Sequence, residues 1–160
     1  MLTNGKTSLS LLSPLELDSA YRATGYLLHL RGEAIRLRVD KSSPEFDTFL
    51  ERTQCEQWAF ISAVNPGSEL LTEAANATRH RKLLATVSAQ KLTYFAGDAI
   101  PDSAGWPIEP GLLLLHISLE QALMLAREFE QLAIIAGSRN DAPRLHYCDD
   151  TNNMALLSWA

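Results

Sequence analysis

At 160 residues with a net charge of −5, the chain fits one domain able to bury a sizeable core. It is too acidic for a nucleic-acid-binding surface spread over the whole molecule. Its 46% hydrophobic and 21% charged residues are those of an ordinary globular protein. No apolar run approaches the roughly 20 residues of a membrane span. The opening MLTNGKTSLSLLSPLEL does not follow the basic-then-apolar order of a secretory signal. Cys55 and Cys148 stand in no CxxC spacing and read as inert, buried thiols of a reducing, cytoplasmic protein. His29, His80, His116 and His146 show no metal-ligand spacing, so no metal or cofactor is expected.

The predicted elements begin after a loose arm over residues 1–12. Ser13-Pro14-Leu15-Glu16 combines an N-cap, a first-turn proline and a capping-box glutamate, predicting a helix to about Thr24, where Gly25 stops it. Two strands follow, Tyr26–Leu30 and Ala34–Val39. The second alternates Ile35, Leu37 and Val39 against Arg36 and Arg38. Ser43-Pro44 opens a second helix with Phe46, Phe49 and Leu50 on one face, ending near Thr53. Trp58–Val64 is a continuous apolar run and reads as a strand buried on both faces.

Asn65-Pro66-Gly67-Ser68 is a turn by composition. Thr72 is the cap of a helix to about Ala89, with Glu73 in its first turn. Leu92–Ala96 is a strand, and Gly97–Gly111 reads as a long loop stiffened by Pro107, Pro110 and Trp106. Leu112–Ile117 is the second continuous apolar run. It holds His116, expected to be a satisfied core residue. Ser118 and Gln121 form a capping box for a helix whose buried stripe is Leu119, Ala122, Leu123, Ala126 and Phe129. Leu132–Ala136 and Arg144–Cys148 are strands joined by a turn. Residues 149–160 form a tail, with Met154–Trp159 expected to dock on the body.

From residue 58 the order strand, helix, strand, strand, helix, strand predicts an α+β fold with a ferredoxin-like, split βαβ core. The N-terminal helix and hairpin and a C-terminal edge strand extend it. The two continuous apolar runs are its central strands. Its first two strands run parallel across a helix, and the third runs back. The Asn65–Ser68 turn, the start of the Thr72 helix and the 97–111 loop should therefore meet at one edge of the sheet.

The candidate ligand-binding residues at that edge are Asn65, Ser68, Asn76, Arg79, Trp106 and Glu109, with Asp98 beside them. Backbone N–H groups and the Ser68 hydroxyl could present donors to an anion, or the segment could be a structural turn alone. Asn76, Arg79, His80 and Leu83 share a helix face. Arg79 suits carboxylate or phosphate, while Arg79-His80-Arg81-Lys82 also reads as a solvated basic patch. Trp106 is either a plug pinning the loop or the wall of a flat ligand site. Glu109 is either a partner of Arg79 or a general base. A Ser68–His80–Glu109 hydrolytic set is disfavoured, because Ser68 lacks the nucleophile-elbow pattern.

The stretch WAFISAVNPGS, then Asn76 and Arg79, then GWPIEP before an apolar strand, with Ala20-Tyr21-Arg22-Ala23-Thr24 and Tyr26 upstream, resembles the bacterial domain-of-unknown-function family 3293 over roughly Pro14–Cys148. One departure is Glu130 in FEQLAII, where the family pattern has a glycine ending the helix. The resemblance implies a small cytoplasmic α+β domain and supplies no reaction. The leading expectation is a domain binding a small anionic or polar ligand, with the 97–111 loop as its lid. The alternatives are a hydrolase using Glu109 or His80, and an interaction or homo-oligomerisation module.

Overall fold

The structure, a computed structural model, describes residues 13–149. The arm over 1–12 and the Met154–Trp159 tail lie outside the described residues. Local chemistry starts each helix. Ser13 Oγ accepts the Glu16 N–H at 3.2 Å and Glu16 Oε1 accepts the Ser13 N–H at 3.4 Å, opening α1 (Pro14–Arg22). Ser43 caps α2 (Pro44–Arg52) and Thr72 caps α3 (Glu73–Ala89) through the Phe46 and Ala75 amides. Ser118 and Gln121 box the start of α4 (Leu119–Glu128). The strands are β1 (Thr24–Leu30), β2 (Glu33–Leu37), β3 (Gln57–Ser62), β4 (Thr93–Pro101), β5 (Glu109–Leu115), β6 (Ala133–Ser138) and β7 (Arg144–Tyr147).

All seven strands of the described residues form one sheet, ordered β2-β1-β4-β5-β3-β6-β7, with every neighbouring pair antiparallel. β3 and β4 both run against β5 between them, so they are parallel to each other. Mixed α and β elements on an antiparallel sheet give the α+β class. The two continuous apolar runs supply the inner strands β3 and β5, and their alternation builds two cores. Trp58, Phe60, Leu113 and Leu115 face one way, toward Phe46, Phe49 and Leu50 of α2. Ala59, Ile61, Leu112 and Leu114 face the other, toward Leu83 and Val87 of α3 and Ala122, Leu125 and Ala126 of α4. Each fully buried leucine or isoleucine contributes roughly 1.5–3 kcal/mol of burial, so these two strands contribute it on both faces.

Helix α1 lies on the α2 side, where Tyr147 Oη donates to Asp18 Oδ1 at 2.8 Å and the Tyr21 and Tyr147 rings meet edge-on at 6.3 Å.

Three expectations need correction. The 97–111 segment is mostly strand: β4 runs on to Pro101 and β5 begins at Glu109. The glycines that suggested a loop are paired across β4 and β5, Gly97 opposite Gly111. A Cβ at either would lie 2.8 Å or 2.6 Å from the Phe60 ring. They are small because an aromatic ring rests on them, not because the chain turns. Phe60 and Tyr26 then meet at 5.4 Å although β4 and β5 separate their strands. In a flat sheet three spacings of ~4.8 Å would hold those backbones about 14 Å apart, so the sheet curls toward this face.

The second correction is His116. It is exposed, follows the end of β5 and has φ 57°, a left-handed turn in place of the expected core strand. The third is Leu119, 37% exposed. The buried stripe of α4 passes through Leu125 instead.

Candidate functional site

Beyond β3 the chain has to turn sharply to enter α3, and Asn65 takes the left-handed conformation (φ 48°, ψ 62°), which asparagine tolerates better than most residues. A tight turn, Pro66–Ser68, follows, in which Gly67 (φ 60°) and Ser68 (φ 59°) are also left-handed, and the Gly67 N–H donates to the Glu130 carbonyl at 2.7 Å. The Asn65 side chain is 4% exposed and fully engaged. Its Oδ1 accepts from the Leu71 N–H at 3.0 Å and from Asn76 Nδ2 at 2.8 Å, while the Asn65 N–H donates to Asn76 Oδ1 at 2.9 Å. Two donors on Oδ1 fix the amide orientation, so Nδ2 faces Glu109 and donates to its Oε2 at 3.1 Å. Trp106 Nε1 donates to Glu109 Oε1 at 2.8 Å.

Glu109 is thus held by one neutral donor on each oxygen. Burial pushes its pKa above the ordinary carboxylate value, and the two hydrogen bonds pull it partly back. The phenols of Tyr21 and Tyr26 are raised well above their usual value, in both cases mainly by burial. Ser68 hydrogen-bonds Tyr21 and lowers its pKa somewhat, whereas the Glu109 charge raises it. Between α1 and the sheet these groups enclose a pocket of ≈ 70 Å³, walled by Tyr21, Tyr26, Phe60, Asn65, Trp106 and Glu109. Among the described residues Glu109 is the one charged side chain lining it.

Of the residues predicted from sequence, Asn65, Ser68, Trp106 and Glu109 line this pocket, and Asn76 braces Asn65 from behind. Arg79 does not join them. Its Nε donates to the Ala63 carbonyl and its Nη2 to the Phe129 carbonyl, each at 2.6 Å, with Glu130 at 3.6 Å. The guanidinium ties the exit of β3 to the last carbonyls of α4, a backbone-capping role that takes it away from Glu109. Asp98 also turns away: it bonds His29 Nε2 at 2.8 Å, while its neighbour Ala99 lines the pocket. His80 borders a separate groove of ≈ 570 Å³ with Leu71, Asn76, Pro107 and Ile108. Burial there holds its pKa below the ordinary histidine value. Ser68 and Glu109 in one pocket and His80 in the other do not make a hydrolytic set.

Tyr21, Tyr26 and Phe60 were not among the predicted site residues. A signal for the tyrosines was present only in that the AYRAT-and-Tyr26 stretch stands out in the sequence. Phe60 gave none, since in an apolar run it looks like any core residue. Among the described residues no group of three or more His, Cys, Asp or Glu side chains is gathered to hold a metal ion. Residues 61–134 match the family model of DUF3293, described as a protein of unknown function. That match takes in the Asn65 turn, α3, Trp106 and Glu109, and leaves out Tyr21, Tyr26 and Phe60. No curated protein and no solved structure matches the chain.

Proposed function

For a chain that belongs to DUF3293 through its residues 61–134, we propose that the protein binds a small polar ligand in the pocket between α1 and the sheet edge. The observation that carries this is Glu109, a partly buried carboxylate whose two oxygens are oriented by Trp106 and Asn65 at the wall of a cavity. An oriented carboxylate retains acceptor positions beyond the two in use, and a concave site with a few fixed polar groups is the usual form of a ligand site. Arg79, held on backbone carbonyls, gives an anion nothing to pair with here. The cavity of ≈ 70 Å³ suits about five non-hydrogen atoms, since one water centre needs roughly 10–15 Å³. At a ceiling of about 1.5 kcal/mol per atom such a ligand reaches micromolar affinity at best.

The test is a fragment titration followed by ¹H–¹⁵N NMR. Small polar fragments should move the Trp106 indole resonance and saturate in the micromolar-to-millimolar range. Shifts confined to the His80 groove, or none at all, would reject the reading.

The fold reading we propose is a ferredoxin-like core, β3–α3–β4–β5–α4–β6. It is supported by the order β4-β5-β3-β6, by antiparallel pairing throughout, and by α3 and α4 packing into the same core. A bacterial cytoplasmic setting is the matching proposal, supported by two free, buried cysteines. No described helix is long and apolar enough to cross a membrane.

A further inference from the structure

We propose that the ligand of this pocket carries a small ammonium group, primary or methylated, seated against Glu109. The inference rests on the pocket being a ligand site and adds the charge that the ligand must bring.

Among the described residues Glu109 has no counter-charge. Lysine, arginine and histidine are missing from the residues that line the pocket, and both groups bonded to the carboxylate, the Asn65 amide and the Trp106 indole, are neutral. The guanidinium of Arg79 is committed to the Ala63 and Phe129 carbonyls. Two of about four acceptor positions on the carboxylate are used, and an ammonium group supplies donors and charge together.

The walls complete the case. Tyr21, Tyr26, Phe60 and Trp106 line the pocket with the carboxylate, and aromatic walls attract cations through the ring quadrupole. A carboxylate set among aromatic rings, with no basic side chain, selects against anions and gains little from a neutral guest. The cavity's ≈ 70 Å³ limits the guest to methylammonium or a short alkylammonium, or to the ammonium end of a longer molecule.

The experiment titrates the full chain with ethylammonium, ethanol and acetate at neutral pH, following the Trp106 indole resonance. Ethylammonium should bind at least tenfold more tightly than ethanol, and acetate should not bind. The Glu109→Gln variant should lose that preference. Should this variant fail to fold, a pH series on the wild type supplies the same information. Ethylammonium stays protonated throughout, and its affinity should fall about tenfold for each pH unit below the raised Glu109 pKa. Among the described residues, the other titratable groups facing Glu109 are the Tyr21 phenol from α1 and the Tyr26 phenol from β1. Both are neutral over that range, because burial raises them. Ethanol binding as tightly as ethylammonium, acetate binding, or a pH-independent ethylammonium affinity would each overturn the charge assignment while leaving the pocket in place. Failure of every probe to move the Trp106 indole overturns the ligand-site reading itself.

Discussion

Asn65 holds the site together with four hydrogen bonds. Its side chain serves the Leu71 N–H, the Asn76 amide and Glu109, and its N–H returns a bond to Asn76. Asn65→Ala removes the three side-chain bonds and leaves their partners short in a partly buried place, at roughly 1–3 kcal/mol for each group that stays unsatisfied. Alanine must also hold φ 48°, which costs a further ~1 kcal/mol. The expected loss is about 3–5 kcal/mol by urea unfolding, and Asn65→Gly should lose about 1 kcal/mol less. A loss below 1 kcal/mol for the alanine variant would mean that water replaces the side chain. This much of the site was legible, because Asn-Pro-Gly-Ser announces a turn and helix spacing puts Asn76 one turn along. Arg79 was misread for a physical reason. Spacing places it on the same face as Asn76, but the carbonyls of Ala63 and Phe129 that capture its long side chain leave no mark in a sequence.

The elements were easier to read at their starts than at their ends. Ser13, Ser43, Thr72 and Ser118 all cap as expected, because a cap needs only neighbours within a few residues. The exit of α4 is different. Glu130 sits just past the helix with φ 58°, the left-handed position where glycine ends helices at no steric cost. Glu130→Gly should therefore stabilise the protein by about 0.5–1 kcal/mol. That figure is net of its exposed contact with Arg79 at 3.6 Å, since such surface pairs contribute little. Urea midpoints of the two proteins check this. A destabilised variant would show that the Arg79 pair contributes more than the backbone strain costs. Gly97 and Gly111 misled for the opposite reason. Here glycine means close approach by the Phe60 ring, a contact with a strand far away in sequence, so a loop was read where β4 and β5 continue.

Across the whole molecule, two apolar runs identified the central strands, because strands buried on both faces need continuous apolar sequence. The same feature divides the interior. Cys55 belongs to the core on the α2 side and Cys148 to the core on the α3 and α4 side, with the sheet between them. A disulfide needs Cα atoms within about 7 Å and side chains turned toward each other, so this fold should not form one. Burial also keeps both thiols protonated: Cys55 is raised from its ordinary value and Cys148 is pushed up to about 11. Thiolate is the reactive form, so both cysteines should react with a disulfide reagent only when the chain opens. Native protein should then be modified at least about 100-fold more slowly than urea-unfolded protein, because a stability of roughly 5 kcal/mol or more leaves a very small open fraction. Mild oxidation should yield no intramolecular crosslink on peptide mapping. A native Cys55–Cys148 bridge would contradict the separation of the two cores. Rapid modification of Cys148 alone would instead indicate that the segment after β7 opens separately from the sheet, because that cysteine's amide is tied to the body through the Leu132 carbonyl at 2.9 Å.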